Sequence, residues 1–240
     1  MIKLEDINKE ILFKEEPHTY HFKEQGLLSV SVFLSLFKSK FDPSGFIKRK
    51  YAEKNNLSVS EVTEKWDKAK YDGLKRGKSF HRQIEHFLKN NEILKDDYED
   101  VVLIFKEKFL PKIKGKLYCE IPLHLREPYW LAGTADLIED LGKGNLNLMD
   151  WKTNKEILYK PKYGGKLLPP VDYLGDCEMS NYGLQLNLYK YMLEYHGYKV
   201  KKITLFHINP ETRQIDSHKI PDMQEDIIKM LNHYKESFSF

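Results

Sequence analysis

The sequence predicts an α/β domain with a central mixed β-sheet flanked by helices and preceded by a helical N-terminal part. Three observations carry this. Helix starts and helical apolar spacing dominate residues 42 to 110, short alternating segments follow between 118 and 153, and a helix, two strands and a last helix close the chain. At 240 residues, with 41% hydrophobic and 31% charged, the chain has the balance of one globular domain with a sizeable core. A single domain over 1–240 is expected, about 1–75 forming an N-terminal hairpin and basic helices and about 76–240 the core.

Taken in order, residues 18 to 37 (HTYHFKEQGLLSVSVFLSLF) predict a short hairpin around Gln25-Gly26 and then an apolar segment. Asp42-Pro43 has the pattern of an N-cap with proline at the first helical position, opening a basic helix to about Asn55. Ser58 and Glu61 have capping-box spacing and start the next helix, which carries Trp66. Another helix is expected over roughly 78 to 90, with Phe80, Ile84, Phe87 and Leu88 as its apolar face, and a fourth from about Asp97 to Leu110. YCEIPLHL, WLAGTADLIE and NLNLMDWKT are β-type segments separated by turn residues. After a Pro/Gly-interrupted stretch (161 to 180) comes the helix YGLQLNLYKYMLEYHG, with Gly197 as C-cap. The strand VKKITLFHI, a turn at Asn209-Pro210, a strand near 213 to 220 and a terminal helix complete the order.

Composition narrows the function classes. No apolar run approaches a membrane span and the N-terminus lacks signal-peptide shape, so a cytoplasmic protein with no membrane partner is expected. Cys119 and Cys177 are too few for a disulfide framework, a thiolate zinc site or an iron–sulfur cluster. The net charge of +3 decides nothing alone, but lysines and arginines crowd the first half in KSKFDPSGFIKRKYAEK and KAKYDGLKRGKSFHR. Lys48, Arg49, Lys75, Arg76 and Lys78 are the candidate phosphate contacts, with Phe41, Phe46, Tyr51, Trp66 and Tyr71 interleaved as stacking candidates. For most of these aromatics a place in the core of an amphipathic helix is the stronger alternative.

The chemistry concentrates in GTADLIEDLGKGNLNLMDWKT. Residues two apart share a strand face, so Leu146, Leu148, Asp150 and Lys152 lie on one side and Met149 and Trp151 on the other. A hairpin centred on residue 143 places Asp136 opposite Asp150. Facing carboxylates repel, and a divalent cation between them removes the penalty; oxygen ligands of this kind suit Mg²⁺ or Mn²⁺. Lys152 beside them suits orientation of an attacking water and stabilisation of phosphoryl charge. From spacing alone, a solvated hairpin with Lys152 as salt-bridge partner stays equally open. His81 and Glu85 sit four apart on one helix face, as do Gln185 and Tyr189 further on. Taken singly, each pair is also what an ordinary structural histidine or a helix-surface hydrogen bond would give.

In combination, these positions resemble the PD-(D/E)xK nuclease superfamily, in particular its RecB-like branch. The helix histidine His81, the acid of GTAD (Asp136), the strand DWKT (Asp150, Lys152) and the helix QLNLY (Gln185, Tyr189) occur in that order over about 77 to 195. HTYHF…LLSVSVFL is similar to the start of phage and mitochondrial genome-maintenance exonucleases of the same group. The resemblance implies a restriction-endonuclease-like core. It implies Asp136 and Asp150 as metal ligands, helped by His81 and the backbone carbonyl of Trp151, and Lys152 as catalytic lysine. Gln185 and Tyr189 would hold substrate or site geometry, with Glu85 and Glu120 as outer carboxylates; Glu120 is equally an ordinary strand acid. Ala135 stands where the family's first motif has proline, and the cysteine set of iron–sulfur relatives is absent.

The implied reaction is Mg²⁺- or Mn²⁺-dependent hydrolysis of a DNA phosphodiester, using one or two ions and leaving a 5′-phosphate. An exonuclease acting on DNA ends in replication, recombination or repair is expected, in a bacterial or phage-infected cell, with DNA and replication or recombination proteins as partners. A structure-specific or restriction-type endonuclease, and a catalytically silent DNA-binding protein of the same fold, remain alternatives. Polarity, strand preference and oligomeric state stay open. The 161–180 segment is expected to lie over the site and govern access.

Overall fold

The computed structural model describes residues 3–14, 19–38, 45–161 and 164–238. A mixed sheet is flanked by helices on both faces, as the sequence predicts. A short helix α1 (Leu4–Lys9) precedes the strands β1 (Leu12–Lys14), β2 (Thr19–Phe22) and β3 (Gln25–Ser29), which pair antiparallel in sequence. The β2–β3 turn falls two residues earlier than the sequence suggests. Lys23 takes the left-handed conformation (φ 54°), so Gln25 and Gly26 already belong to β3. Ser29 then caps α2 (Val30–Ser35) by accepting from the Val32 N–H.

Asp42 and Pro43 lie outside the described residues. The basic helix α3 (Phe46–Asn55) follows Gly45, which takes φ 75°. The two helices expected at 58 and 78 are one helix, α4 (Val59–Asn90), of 32 residues. The Ser58–Glu61 capping box starts it as expected, and Asn91 in the left-handed region ends it. Gly73 and Gly77 do not break it, since an interior glycine costs only about 1 kcal/mol and both lie within a run of good helix formers. α5 (Glu99–Lys108) and a 3-10 turn (Leu110–Lys112) lead to the central strands β4 (Lys116–Leu125), β5 (Leu131–Gly142) and β6 (Asn145–Lys152). α6 (Glu178–Tyr195), β7 (Lys199–Ile208), β8 (Ile215–Lys219) and α7 (Gln224–Phe238) finish the chain.

β5 organises the sheet. β4 runs antiparallel along one side of it, from Leu125↔Leu131 to Lys116↔Asp140. On its other side β3 pairs in parallel at Leu131 and Ala132, and β6 pairs antiparallel from Leu137 onward. Among the described residues no ladder pair spans 133 to 136 on that side, so the sheet opens there. Beyond the opening, β6 runs parallel to β7, with Asp150 beside Leu205 and Lys152 beside His207.

The strand faces follow the predicted alternation. Leu146 and Leu148 join the larger core beneath α2, α6 and α7, while Met149 and Trp151 join a second core beneath α4 and α5. There Trp151 stacks on Phe206 at 4.8 Å and meets Phe105 and Phe80 edge-on. The described part of the Pro/Gly-interrupted stretch, from 164 to 177, is built into the fold. Leu167 and Val171 are buried in the larger core, and the Leu168 N–H donates to Phe37 O at 2.8 Å. No described helix is long and apolar enough to cross a membrane.

Candidate active site at the opening of the sheet

The β5–β6 hairpin turns through Gly142, Lys143 and Gly144, all at positive φ. Its register, Leu137↔Met149 and Ile138↔Leu148, continues by one step to set Asp136 across from Asp150, as the symmetry about residue 143 requires. At that step the backbone ladder gives way to side chains. The Trp151 N–H donates to Asp136 Oδ2 at 3.1 Å. Trp151 therefore contributes its backbone here while its indole is buried in the second core.

Glu120 reaches the same point from β4. It sits between the pairs Cys119↔Leu137 and Ile121↔Ala135, opposite Asp136, with φ 51°. A non-glycine residue in the left-handed region is strained, and here it switches the face of the strand. Ile121, Leu123 and Leu125 pack in the larger core, whereas Leu117 and Cys119 pack against the second. The switch brings the Glu120 carboxylate to His81 on α4. His81 Nδ1 is 3.5 Å from Glu120 Oε1, and its Nε2 is 3.6 Å from Asp136 Oδ2. One ligand atom each from His81, Glu120 and Asp136 lie within 4.8 Å of one another. From the sequence Glu120 was as well explained as an ordinary strand acid; only the left-handed backbone distinguishes it.

Asp150 and Lys152 form the other half of the site. The Asp150 carboxylate is 1% exposed, with Lys152 Nζ 2.5 Å from its Oδ2. That contact is an ion pair, and Oδ1 is buried with no hydrogen-bond partner. Burying a carboxylate oxygen without a partner is costly, and a cation ligated there would remove the cost. Burial and the charge of Asp136 push the Asp150 carboxyl up to about 7, against the pull of Lys152. Burial disfavours the Lys152 ammonium, yet Asp150 and Asp136 hold it above the usual lysine range. Burial likewise disfavours the His81 imidazolium, but Asp136 and Glu120 outweigh it and raise His81 to about 9.

α6 closes the site from the larger core. Gln185 Nε2 donates to the Tyr189 hydroxyl at 3.2 Å, and burial keeps that phenol neutral. Tyr189 fits because residue 133 is glycine: a Cβ there would stand 2.7 Å from Tyr189 Cε1 and 3.0 Å from Val30 Cγ2. Tyr182, three residues before Gln185, lies under Lys152 Nζ at 5.0 Å from its ring centre. Tyr182 escaped the sequence reading, although its spacing from Gln185 puts it on the same helix face. Tyr20 on β2 also reaches the opening, its hydroxyl 3.0 Å from Thr134 Oγ1.

The remaining expected residues sit elsewhere. Glu85 lies one turn beyond His81, its Oε1 2.5 Å from Lys89 Nζ, outside the ligand cluster. Lys75 and Lys78 are exposed on α4 and Arg76 is half-buried there. Lys48 donates to Thr63 Oγ1 at 3.2 Å and lies over the Trp66 ring, while Arg49 is exposed on α3. Tyr51 and Trp66 pack edge-to-face at 5.7 Å between α3 and α4. Tyr71 is exposed, Phe41 lies outside the described residues, and the side chain of Phe46 does too.

No family model matches the chain. No curated protein matches it by sequence. Among solved structures it is similar to that of SSO0001, at 16% identity and TM-score 0.43, over 90% of this chain and 77% of that one. It is also similar to a "Putative exonuclease" from Eubacterium rectale, at 14% identity and TM-score 0.44, over 68% of this chain and 65% of that one. Likenesses this distant do not say what the chain acts on, so its function has to be read from the site.

Proposed function

We propose that the chain is a Mg²⁺- or Mn²⁺-dependent deoxyribonuclease of the PD-(D/E)xK kind, RecB-like, acting on DNA ends. One observation carries the reading: His81, Glu120 and Asp136 converge at the opening of the sheet beside the buried Asp150–Lys152 pair. The donor set fits a hard divalent cation, being rich in carboxylate oxygen with one imidazole. His81, Glu120 and Asp136 would hold it; Asp150, outside that cluster of ligand atoms, stands across from Asp136 with its Oδ1 buried and without a hydrogen-bond partner. Bound there, such an ion supplies Lewis acidity at the scissile phosphate.

The chain's own groups account for the rest. Lys152, held as the ammonium, orients the attacking water and takes up charge developing on the phosphoryl oxygens. Tyr182 beneath it and Asp150 beside it fix where that charge points. The Trp151 N–H fixes Asp136, and the Gln185–Tyr189 pair fixes the wall that Gly133 leaves open. Exposed Lys75 and Lys78 lie on the helix that delivers His81, where a phosphate backbone would approach.

The test compares end-labelled linear DNA with closed circles, single- and double-stranded, with Mg²⁺ and with chelator. Linear DNA should be degraded only with the cation, circles should survive, and Lys152→Ala should lose about 10²- to 10³-fold in rate. Cutting of circles would replace the exonuclease with an endonuclease, and no cation-dependent cutting of any DNA would end the nuclease reading.

A further inference from the structure

One stripe of α4 runs from the acids towards the N-terminal half of the helix. Tyr71, Leu74, Lys78 and His81 follow each other at spacings of three, four and three, so they share a helix face. At its inner end His81 meets Asp136 and Glu120. The helix is seated there beside β6, since a Cβ on Gly77 would contact Thr153 Oγ1 at 3.8 Å. Outward along the stripe, Leu74 is 60% exposed and Tyr71 67%. Both are large and apolar, and among the described residues no hydrogen bond or ring contact ties either of them to α3. The joint between α3 and α4 includes Tyr51 against Trp66 and Lys48, which donates to Thr63.

The charges beside Tyr71 and Leu74 identify what they meet. Lys68 is three residues before Tyr71 and Lys75 four after it, so an exposed ammonium flanks the phenol ring on either side. Cation, aromatic, cation along one line is complementary to phosphate, base, phosphate along one strand. At a rise of about 1.5 Å per residue, Leu74 lies about 10 Å and Tyr71 about 15 Å along the axis from His81. With about 3.4 Å per nucleotide in a stacked strand, that is about three to four nucleotides from the scissile phosphate.

From this we propose that Tyr71 and Leu74 form a base-contacting step on α4. It receives an unpaired base three to four nucleotides from the cleaved bond, so the preferred substrate is a single strand or a frayed end. The step rests on the nuclease reading above and adds a specificity element to it.

The experiment measures binding of fluorescent single-stranded oligonucleotides in Ca²⁺, with one abasic site moved along the strand. Wild type should lose about 5- to 100-fold in affinity when the abasic site falls at the third or fourth nucleotide, and little elsewhere. Tyr71→Ala/Leu74→Ala should bind the intact strand that much more weakly, respond to no abasic position, and melt like wild type. Tyr71→Phe should restore the positional response, whereas Lys75→Ala should weaken binding uniformly and lower its salt dependence. A double variant that binds and degrades single strands like wild type would overturn the step and leave the nuclease standing. A wild type that neither binds nor cuts any DNA would overturn both.

Discussion

His81 is half-buried and His124 fully buried, and their surroundings drive them in opposite directions. His81 sits between two carboxylates, which raise it to about 9 in spite of burial. His124, fully buried on β4, has the His196 ring tilted against it at 4.7 Å, and both of its ring nitrogens lack a hydrogen-bond partner. Its nearest acid, Glu10, lies 3.4 Å away but is also paired with Arg126. Burial and the neighbouring histidine therefore push His124 down to about 4. The pair separates a site arranged to gather positive charge from a core that merely excludes it.

Acid should expose that difference first. An unfolded histidine titrates near 6.5. Folded His124 refuses a proton until about 4, so the stability it allows is present above about 6.5 and lost as pH falls towards 4. The expected loss is about 3 kcal/mol between pH 7 and 4. His81 carries the opposite sign. Its contribution in the metal-free protein is full below about 6.5 and is lost as pH rises through about 9. Imidazole NMR should find one ring still protonated at pH 8 and one neutral at pH 5. Urea unfolding of His124→Leu should be flatter than wild type between pH 7 and 5. An unchanged acid slope would break the comparison.

Gly133→Ala tests the site end of the molecule on a smaller scale. The added methyl meets Tyr189 and Val30 closer than side chains normally approach, so one of them must shift. Overpacking of this kind costs about 1–3 kcal/mol. The rate of the proposed nuclease should fall as well, because Tyr189 and Gln185 move with it, while the His124 titration stays in place. A variant as stable and as active as wild type would show that the wall around Gly133 is slack.

Much of this site was legible because it is local. The β5–β6 register follows from a glycine-rich turn centred on Lys143, and the alternation of Leu148, Asp150 and Lys152 against Met149 and Trp151 follows from the pleat. Other features depend on what the chain meets at a distance. Nothing near Glu120 announces its left-handed backbone, which makes sense only where β4 changes face beside α4. Parallel pairing of β3 with β5 joins residues about a hundred positions apart, and it creates the opening. The sequence suggested two helices where good helix formers carry one across Gly73 and Gly77, so the stripe from Tyr71 to His81 became visible only in the structure. Leu167 and Val171 read as a surface loop because proline and glycine surround them, yet tertiary burial makes them core.

A cation should act on the His81 end alone, and this makes melting with Mn²⁺ the most direct measurement. At about a hundred times its dissociation constant, a ligand of the folded state adds about 2.7 kcal/mol, or about 5–10 °C for a chain of this size. Wild type should gain that shift at pH 7.5 and Asp136→Ala should not, with the acid limb set by His124 unchanged in both. Identical melting of wild type with and without Mn²⁺ would contradict a metal site at Asp136.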